Sequence, residues 1–597
     1  MFLGSRKLTI FYRFKSSNRL KRGFGGLLLF SYLLLHLSMA LAEDAADSAV
    51  ASEIKAVIAA KQHPYLTQPS FLHRTDDLDK LYRMTGYQLL WLGQPNAEKN
   101  IAEALNIFET AAVNGLNPAH YDGKTLQQQL PAALTLALSD AKQLALYDTA
   151  LSLALLRFLH DLHYGRVSPQ GINFNLKLRA KKLADLSALI KENVSKGTVY
   201  KLPSLVEPTL QQYQKLKQTL ASYRRLAAET QAIQISIKRS VRPGDQFAQL
   251  DKLQAYLTFL GDLPAYGNEV NAKQSMRYKG ALVEAVKRFQ YRHGLNADGV
   301  IGKGTSEAIN TPLKQRVTQI ELAMERLRWL PKLPAGRSII VNIPAFQLWA
   351  FNDTEQSDTN FINMKVVVGK ALENQTPVLM AELSFIDFMP YWNVPYSIIK
   401  DEILPKWSED EDYLNQEEME LVPNFGNQAK PVAITEASWA LVKQGLLKIR
   451  QRPGKKNPLG QVKFIFPNKD DVYLHGTPAN ALFGKSRRDF SHGCVRVEHP
   501  QLLAEFVLQN QAAVWSKEAI QSAMKAAKTE RVVLKQPIPV LFFYMTSFVD
   551  AQGNLIFYPD IYGHDAVLLG ALQKTEDLSD SLLFVSSQKS GPHATIE

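Results

Sequence analysis

The sequence predicts a multidomain α+β protein: a helical scaffold, a small helical module, and a mostly-β domain interrupted by a helical insertion. Three observations carry that reading. The chain has 597 residues, room for three or four domains of about 100–200 residues each. Apolar residues recur at helical spacing through the N-terminal half. From about residue 336 they switch to short alternating runs bounded by Gly and Pro. A hydrophobic fraction of 46% and a charged fraction of 21% are ordinary for globular proteins with real cores.

The chain opens with a basic region, Arg6 to Arg22, then an apolar run from Gly23 to Leu41 ending Ala40-Leu41-Ala42. Basic, apolar and small-residue segments in that order make an export signal over 1–42, or a membrane anchor if it stays uncleaved. The formal charge of +12 hints at nucleic acid, but seven of the 69 basic residues lie in 1–42, where no acidic residue occurs. The excess left for the body is +5. No nucleic-acid partner is expected, and an anionic polymer suits the balance better.

Residues 43–240 read as a helical scaffold. Leu151, Leu155, Phe158 and Leu162 recur at helical spacing, and Gly165 and Pro169 end the run. His160 and His163 on this helix are an isolated pair, more typical of packing than of a metal site. Leu210–Gln234, rich in Lys, Arg and Gln, reads as a solvated connector. Lys238 to Asp245 marks a boundary, and 241–315 form a second helical module. There Leu253, Tyr256, Leu257 and Leu260 make a helical stripe, and Asp298-Gly299 sets a turn. A linker follows over 316–335, with a short amphipathic helix at Glu321–Leu333.

The mostly-β domain spans 336–570. Ser338–Ile343 and Gln347–Phe351 read as paired strands, and Met364–Val368 as a third. Between about 398 and 459 the strand pattern stops. An acidic helical stretch opens there (Asp401 to Asp412) and a basic one closes it (Arg450 to Lys456), two segments able to attract each other. Strand pattern resumes at Val462–Phe466 and Val472–Leu474. Leu502–Gln509 is helical, Pro539–Phe548 and Leu555–Tyr558 form a terminal hairpin, and 571–597 read as a loosely ordered tail.

The chemistry concentrates in Tyr473–Val497. Cys494, the one cysteine of the chain, sits in Ser491-His492-Gly493-Cys494, and His475 opens His475-Gly476-Thr477 nineteen positions earlier. A thiol reacts as thiolate, so a cysteine of ordinary pKa, about 8.5, needs a neighbouring imidazole or donors to act near neutrality. Gly493 and the amides of the turn could hold an oxyanion. Arg487, Arg488 and Arg496 add positive charge that favours a thiolate or grips a carboxylate. His475, His492 and Cys494 could alternatively ligate zinc, and a buried structural cysteine is the bland reading. The reading adopted is a thiol nucleophile with no metal and no cofactor. Outside the cytoplasm a lone cysteine risks oxidation without an internal disulfide partner, which points to use.

The ordered motifs H-G-T and S-H-G-C-V-R-V resemble the signature of the L,D-transpeptidases, the YkuD-type enzymes of the bacterial cell wall. The resemblance extends to the long YcbB-type subgroup. Leu81–Trp91 and Gly115–Tyr121 resemble its scaffold. Ala285–Gln290 with His293–Leu295 and Asp298–Gly302 resembles the peptidoglycan-binding module. Met389–Pro395 resembles the aromatic-proline segment beside the acyl-donor groove, and 398–459 resembles the capping insertion.

The resemblance implies a periplasmic enzyme whose Cys494 attacks the carbonyl between meso-diaminopimelate and the terminal D-Ala of a tetrapeptide stem. His475 would be the general base. His492, Gly493 and Ser491 would serve orientation and the oxyanion, with Gly493 and Cys494 amides as candidate donors. Tyr473, Gly476, Thr477, Arg496 and Trp392 would contact substrate. Peptidoglycan is the implied partner, with other wall-synthesis enzymes or the inner membrane as further ones, and carbapenems would acylate the thiol. A carboxypeptidase, transfer to a lipoprotein, and an inert wall-binding protein are the alternatives.

Overall fold

The computed structural model describes residues 47–577 except 137–139, 173–182, 230–232, 265–276, 332–334, 354–360 and 427–428. The export signal and most of the C-terminal tail therefore lie outside the described residues. Within them no helix is long and apolar enough to cross a membrane.

The described residues form two compact units: one comprises 47–109, Ala119–Arg157 and Asp185–Leu202, the other Thr110–Pro118, 158–172, 183–184 and the described part of 203–577. The first unit is built from helices Thr75–Met84, Ala97–Glu109, Gly123–Thr135 and Leu186–Lys196, with much of Ala141–Tyr164. That last helix stops where the sequence predicts, at Gly165 (φ +82°). A buried carboxylate organises this unit. Asp148 accepts from the Tyr82 hydroxyl (2.6 Å) and from the amides of Leu90, Trp91 and Leu92 (2.9–3.0 Å). Those bonds satisfy a charge that burial would otherwise make costly.

The second unit contains the small helical module. Helices Leu250–Phe259, Ala281–Arg292 and Lys303–Asn310 enclose a core of Leu253, Leu257, Val286, Phe289 and Ile301. The expected turn is present: the Gln290 side chain accepts from the amide of Gly299 (φ +76°) and donates to the Val300 carbonyl.

Two segments differ from their sequence reading. Leu313–Trp329 is one buried helix where a linker with a short amphipathic helix at Glu321–Leu333 is expected, with Arg326 bonded to Asp565 (2.5 Å) and Arg328 to Glu325 (2.8 Å). The charge of Arg326 looks solvated in sequence because its partner lies 239 positions away. Likewise Gln211–Glu229 is no solvated connector: Tyr213, Leu216 and Leu220 are fully buried, and Arg224 pairs with Glu321 at 2.6 Å.

The catalytic-type domain is a closed sheet. Its strands are β1 (Ser338–Asn342), β2 (Gln347–Phe351), β3 (Phe361–Gly369), β4 (Leu379–Phe388), β5 (Trp392–Asn393), β6 (Met419–Val422), β7 (Lys448–Gln451), β8 (Val462–Ile465), β9 (Leu474–His475), β10 (Asp489–Ser491), β11 (Val495–Val497) and β12 (Glu530–Phe543). The large sheet runs β10-β3-β11-β9-β8-β4-β12-β1-β2, and pairing of β2 with β3 closes the ring. Alternation fills the interior with Leu348, Val341, Phe542, Ile386, Phe464, Leu474 and Val495, all fully buried.

β4 and the first half of β12 went unread in the sequence, and Pro539–Phe543 belongs to β12, parallel to β1. The hairpin is correspondingly short, Ser547–Val549 with Leu555–Phe557. The terminal helix runs His564–Asp577, beyond the expected boundary at 570.

The insertion also differs from the helical reading. It pairs helices Leu404–Glu409 and Glu436–Lys443 with a three-stranded sheet, β5-β7-β6. Its own core holds Ile399, Ile403, Trp407, Leu421, Val442 and Ile449, with Trp407 and Trp439 in an edge contact at 4.6 Å. The basic close pairs with β6 and its approach, not with Asp401 to Asp412: Arg450 bonds Glu420, and Lys456 donates to the Gln416 carbonyl at 2.6 Å.

Candidate active site

Sheet register assembles the site. β9 and β11 run parallel with Leu474 opposite Val495 and His475 opposite Arg496. The Val495 amide donates to the Tyr473 carbonyl at 3.1 Å. Successive side chains alternate, so Leu474 and Val495 point into the core while His475 and Arg496 share the outer face. Tyr473 and Cys494, each one residue before its strand, continue that outer row. On the other flank β8 pairs antiparallel with β9 and places Lys463 opposite His475.

His475 is buried, and its Nδ1 lies 2.6 Å from the Gly476 carbonyl oxygen. That oxygen can only accept, so Nδ1 carries the proton and Nε2 is left as the basic nitrogen. Burial, aided by the charge of Arg496, lowers the imidazole to about 3. It is neutral at any working pH.

Cys494 is half-buried, with Sγ 3.9 Å from the Asp471 carbonyl. Burial pushes the thiol up, opposed by hydrogen bonding from the Tyr473 backbone and phenol and by the charge of Lys463. The resting pair is therefore thiol and neutral imidazole, not a preformed thiolate-imidazolium pair.

The arginines divide. Arg487 bonds Asp489 through both nitrogens (2.7 and 2.8 Å). Arg488 is spent on the backbone carbonyls of Val366, Phe346 and Lys485. Both brace the loop, which corrects the expectation that they charge the thiol. Arg496 alone of the three acts on Cys494.

The motif loop is held from within. Ser491 Oγ donates to the Cys494 carbonyl (2.5 Å) and accepts from the Gly493 amide (3.3 Å). The Gly493 amide is thus engaged, and the Cys494 amide is the stronger oxyanion candidate. Gly493 adopts φ +108°, which a side chain would strain, and its carbonyl accepts from buried Thr376 at 2.7 Å. Gly476 packs tightly, since a Cβ there would meet the Leu459 carbonyl and Pro500 at 3.4 Å. Thr477 Oγ1 accepts from the Ala479 amide. Both residues shape the turn that carries His475. Trp392 lies in β5 against the insertion core.

Two residues escaped the sequence reading. Lys463 was hidden inside a strand, although its register against His475 would have exposed it. Glu402, in a π-helical turn Ile399–Ile403, reaches His492 Nε2 at 2.5 Å. Insertion and motif loop are thereby joined. No group of three or more metal-ligating side chains occurs among the described residues.

Comparisons with known proteins give matches in three regions. Residues 76–220 match a scaffold domain, 248–309 a "putative peptidoglycan binding domain", and 336–533 an L,D-transpeptidase catalytic domain. A Haemophilus influenzae protein named "Putative L,D-transpeptidase" is 33% identical over 260 residues, covering 43% of this chain and 50% of that protein. The chain thus spans about half the length of that relative. Matches to a scaffold domain, a peptidoglycan-binding-type module and an L,D-transpeptidase catalytic domain follow one another along this chain, and residues 336–533 are similar to that catalytic domain.

Proposed function

We propose that the protein is a cysteine-dependent L,D-transpeptidase that cross-links peptidoglycan stems, diaminopimelate to diaminopimelate, with release of D-Ala. The observation that carries this is the shared outer row formed by His475 on β9 and by Cys494, the residue that leads into parallel β11, with the His475 tautomer fixed by Gly476.

In this reading His475 Nε2 takes the Cys494 proton as Sγ attacks the carbonyl carbon between diaminopimelate and D-Ala. Both groups start neutral, so in this reading the proton moves as substrate is attacked and not before. The Cys494 amide stabilises the oxyanion. Collapse expels the D-Ala amine, which receives the proton from His475 and leaves a thioester. The side-chain amine of a second diaminopimelate then attacks the thioester, His475 takes its proton, and the thiol is regenerated. The insertion, joined to the loop by Glu402 and His492, keeps water from the thioester. The basic, apolar and A-x-A segments of 1–42 support a periplasmic location.

Incubation of purified protein with tetrapeptide muropeptides tests the reading. Dimers linked through diaminopimelate, with one D-Ala released per link, are expected in the mass spectrum. Monomeric tripeptide alone would reassign the enzyme as a carboxypeptidase, and no D-Ala release would remove the proposal.

A further inference from the structure

We propose that Lys463 and Arg496 form a carboxylate-binding site flanking His475, and that it takes the α-carboxylate attached to the amine exchanged at Cys494. The second half rests on the transpeptidase reading above; the first half does not.

Both cations stand on the outer face of the sheet, one on each strand beside β9, and both are opposite His475 in register. Adjacent strands lie about 4.8 Å apart, so two long side chains placed this way can converge on one group in front of the imidazole.

Neither cation has a carboxylate within ion-pair distance among the described residues. The Arg496 Nε is buried and without a hydrogen-bond partner. Lys463 Nζ lies 3.8 Å from the centre of the Tyr473 ring, a contact that holds the ammonium without neutralising it. The carboxylate opposite Lys463 in register is Asp387, which Arg531 grips through two nitrogens at 2.7 and 2.8 Å. Asp489 is held by Arg487, and Glu498 bonds the Lys365 amide at 3.1 Å. Burial lowers the Lys463 ammonium, and Asp387 and Asp471 oppose that only by attraction beyond ion-pair distance.

Partly desolvated cations left without counter-charge are costly unless a ligand completes them. A carboxylate is the matching ligand: guanidinium and ammonium both donate to it, and charge-assisted bonds of this kind are the strong ones.

Stem chemistry says which carboxylate. The leaving D-Ala carries its carboxylate on the carbon bonded to the departing nitrogen. The attacking centre of diaminopimelate has the same arrangement, an amine and a carboxylate on one carbon. A single anion site beside His475 would therefore hold the leaving and the incoming amine in the same pose, and would disfavour water, which has no carboxylate to offer.

The test compares two thiol reagents of similar size, anionic iodoacetate and neutral iodoacetamide, on the full chain. Both consume the same thiolate, so a change in thiol acidity cancels from the ratio of their rates. In Lys463→Met and in Arg496→Met that ratio should fall about tenfold or more, while Lys463→Arg should largely keep it. Should a variant fail to fold, the wild-type protein decides: N-acetyl-D-alanine should slow alkylation by iodoacetamide, and its C-terminal amide should not. Unchanged ratios in both Met variants, or equal protection by acid and amide, would overturn the site. For the source of the carboxylate, stems amidated on D-Ala are compared with stems amidated on diaminopimelate. In a single turnover slower D-Ala release is expected from the first set alone, with slower cross-link formation from the second; slower single-turnover D-Ala release from the second set alone would overturn the assignment to the exchanged amine. Failure of every stem to react while the reagent ratio shifts as expected would remove the transpeptidase reading and leave the anion site standing.

Discussion

The two strands that carry His475 and Cys494 and the insertion that reaches them through Glu402 are built on opposite principles. β9 and β11 lie within a closed sheet whose interior residues are fully buried, and their pairing fixes each outer side chain relative to its neighbour. The insertion has a separate small core around Trp407, Ile403 and Ile449. It meets the motif loop through a contact between two half-exposed side chains, Glu402 and His492. In the proposed mechanism the groups that make and break bonds sit where register leaves little freedom, and the proposed gate sits on a piece with a core of its own. Preorganisation would serve the first task and mobility the second.

The sharpest break in this contrast is Cys494→Ala. Removing the sulfur should abolish D-Ala release and any carbapenem adduct, read by intact mass, while the melting temperature changes little because Sγ is half-buried at the edge of the sheet. His475→Ala comes next, with a rate loss of about 10²–10⁴-fold, the usual value of general base catalysis. If its loss were smaller than that of His492→Ala, the roles of the two histidines would be exchanged.

Titration gives a third break. Burial holds the Cys494 thiol up, so alkylation should keep rising with pH above the ordinary thiol range, with no reactive plateau near neutrality. A plateau below pH 7 would show a preformed thiolate. The same burial acts on stability with the opposite pH sense. His475, lowered to about 3, and His564, lowered to about 4, are held neutral in the folded chain. Their contribution is present above the unfolded value of about 6.5 and is lost as pH falls from there toward 4 and then 3. Thermal melts should drop through that window, and a flat profile would contradict it.

The insertion can be loosened by itself. Trp407→Ala removes the large side chain packed on Trp439 and should cost that small core about 3–5 kcal/mol. Hydrogen exchange should rise in 396–451 and stay unchanged in β8, β9 and β11. Thiol alkylation should persist, while the product ratio moves from cross-link toward hydrolysis. Exchange rising equally in both regions would mean that the insertion and sheet form one cooperative body.

Local pattern and motif spacing were enough to read the fold class and the L,D-transpeptidase resemblance, because alternation and the H-G-T and S-H-G-C spacing are short-range properties. What stayed hidden depends on partners distant in sequence. Charged Leu313–Trp329 looks like a linker until Arg326 finds Asp565, 239 positions away. Lys463 looks like an outward strand residue until β8 is registered against β9. Glu402 is one acid among six near the start of the insertion, and only the π-helical turn at Ile399–Ile403 turns it toward His492. The strands of the insertion were missed because β6 and β7 are four residues each and β7 is polar at three of its four positions.

The finest test of the contrast is Glu402→Gln, which keeps an acceptor at the same place and removes the charge. The side chains of His492 and Glu402 are 35% and 43% exposed, so solvent screens the pair and its worth should be about 1 kcal/mol or less. That corresponds to a few-fold change at most. The direction matters more than the size. If the contact holds the insertion against the loop, Glu402→Gln should raise the fraction of thioester lost to water and leave the rate of acylation nearly unchanged. Acylation precedes any competition between water and the acceptor amine, so a gating contact affects the second step and an orienting contact the first. Single-turnover acylation by a carbapenem, followed by the product ratio on muropeptides, separates the two. A slower acylation with an unchanged product ratio would make Glu402 a positioning residue for His492 and would take the insertion contact out of the gating role.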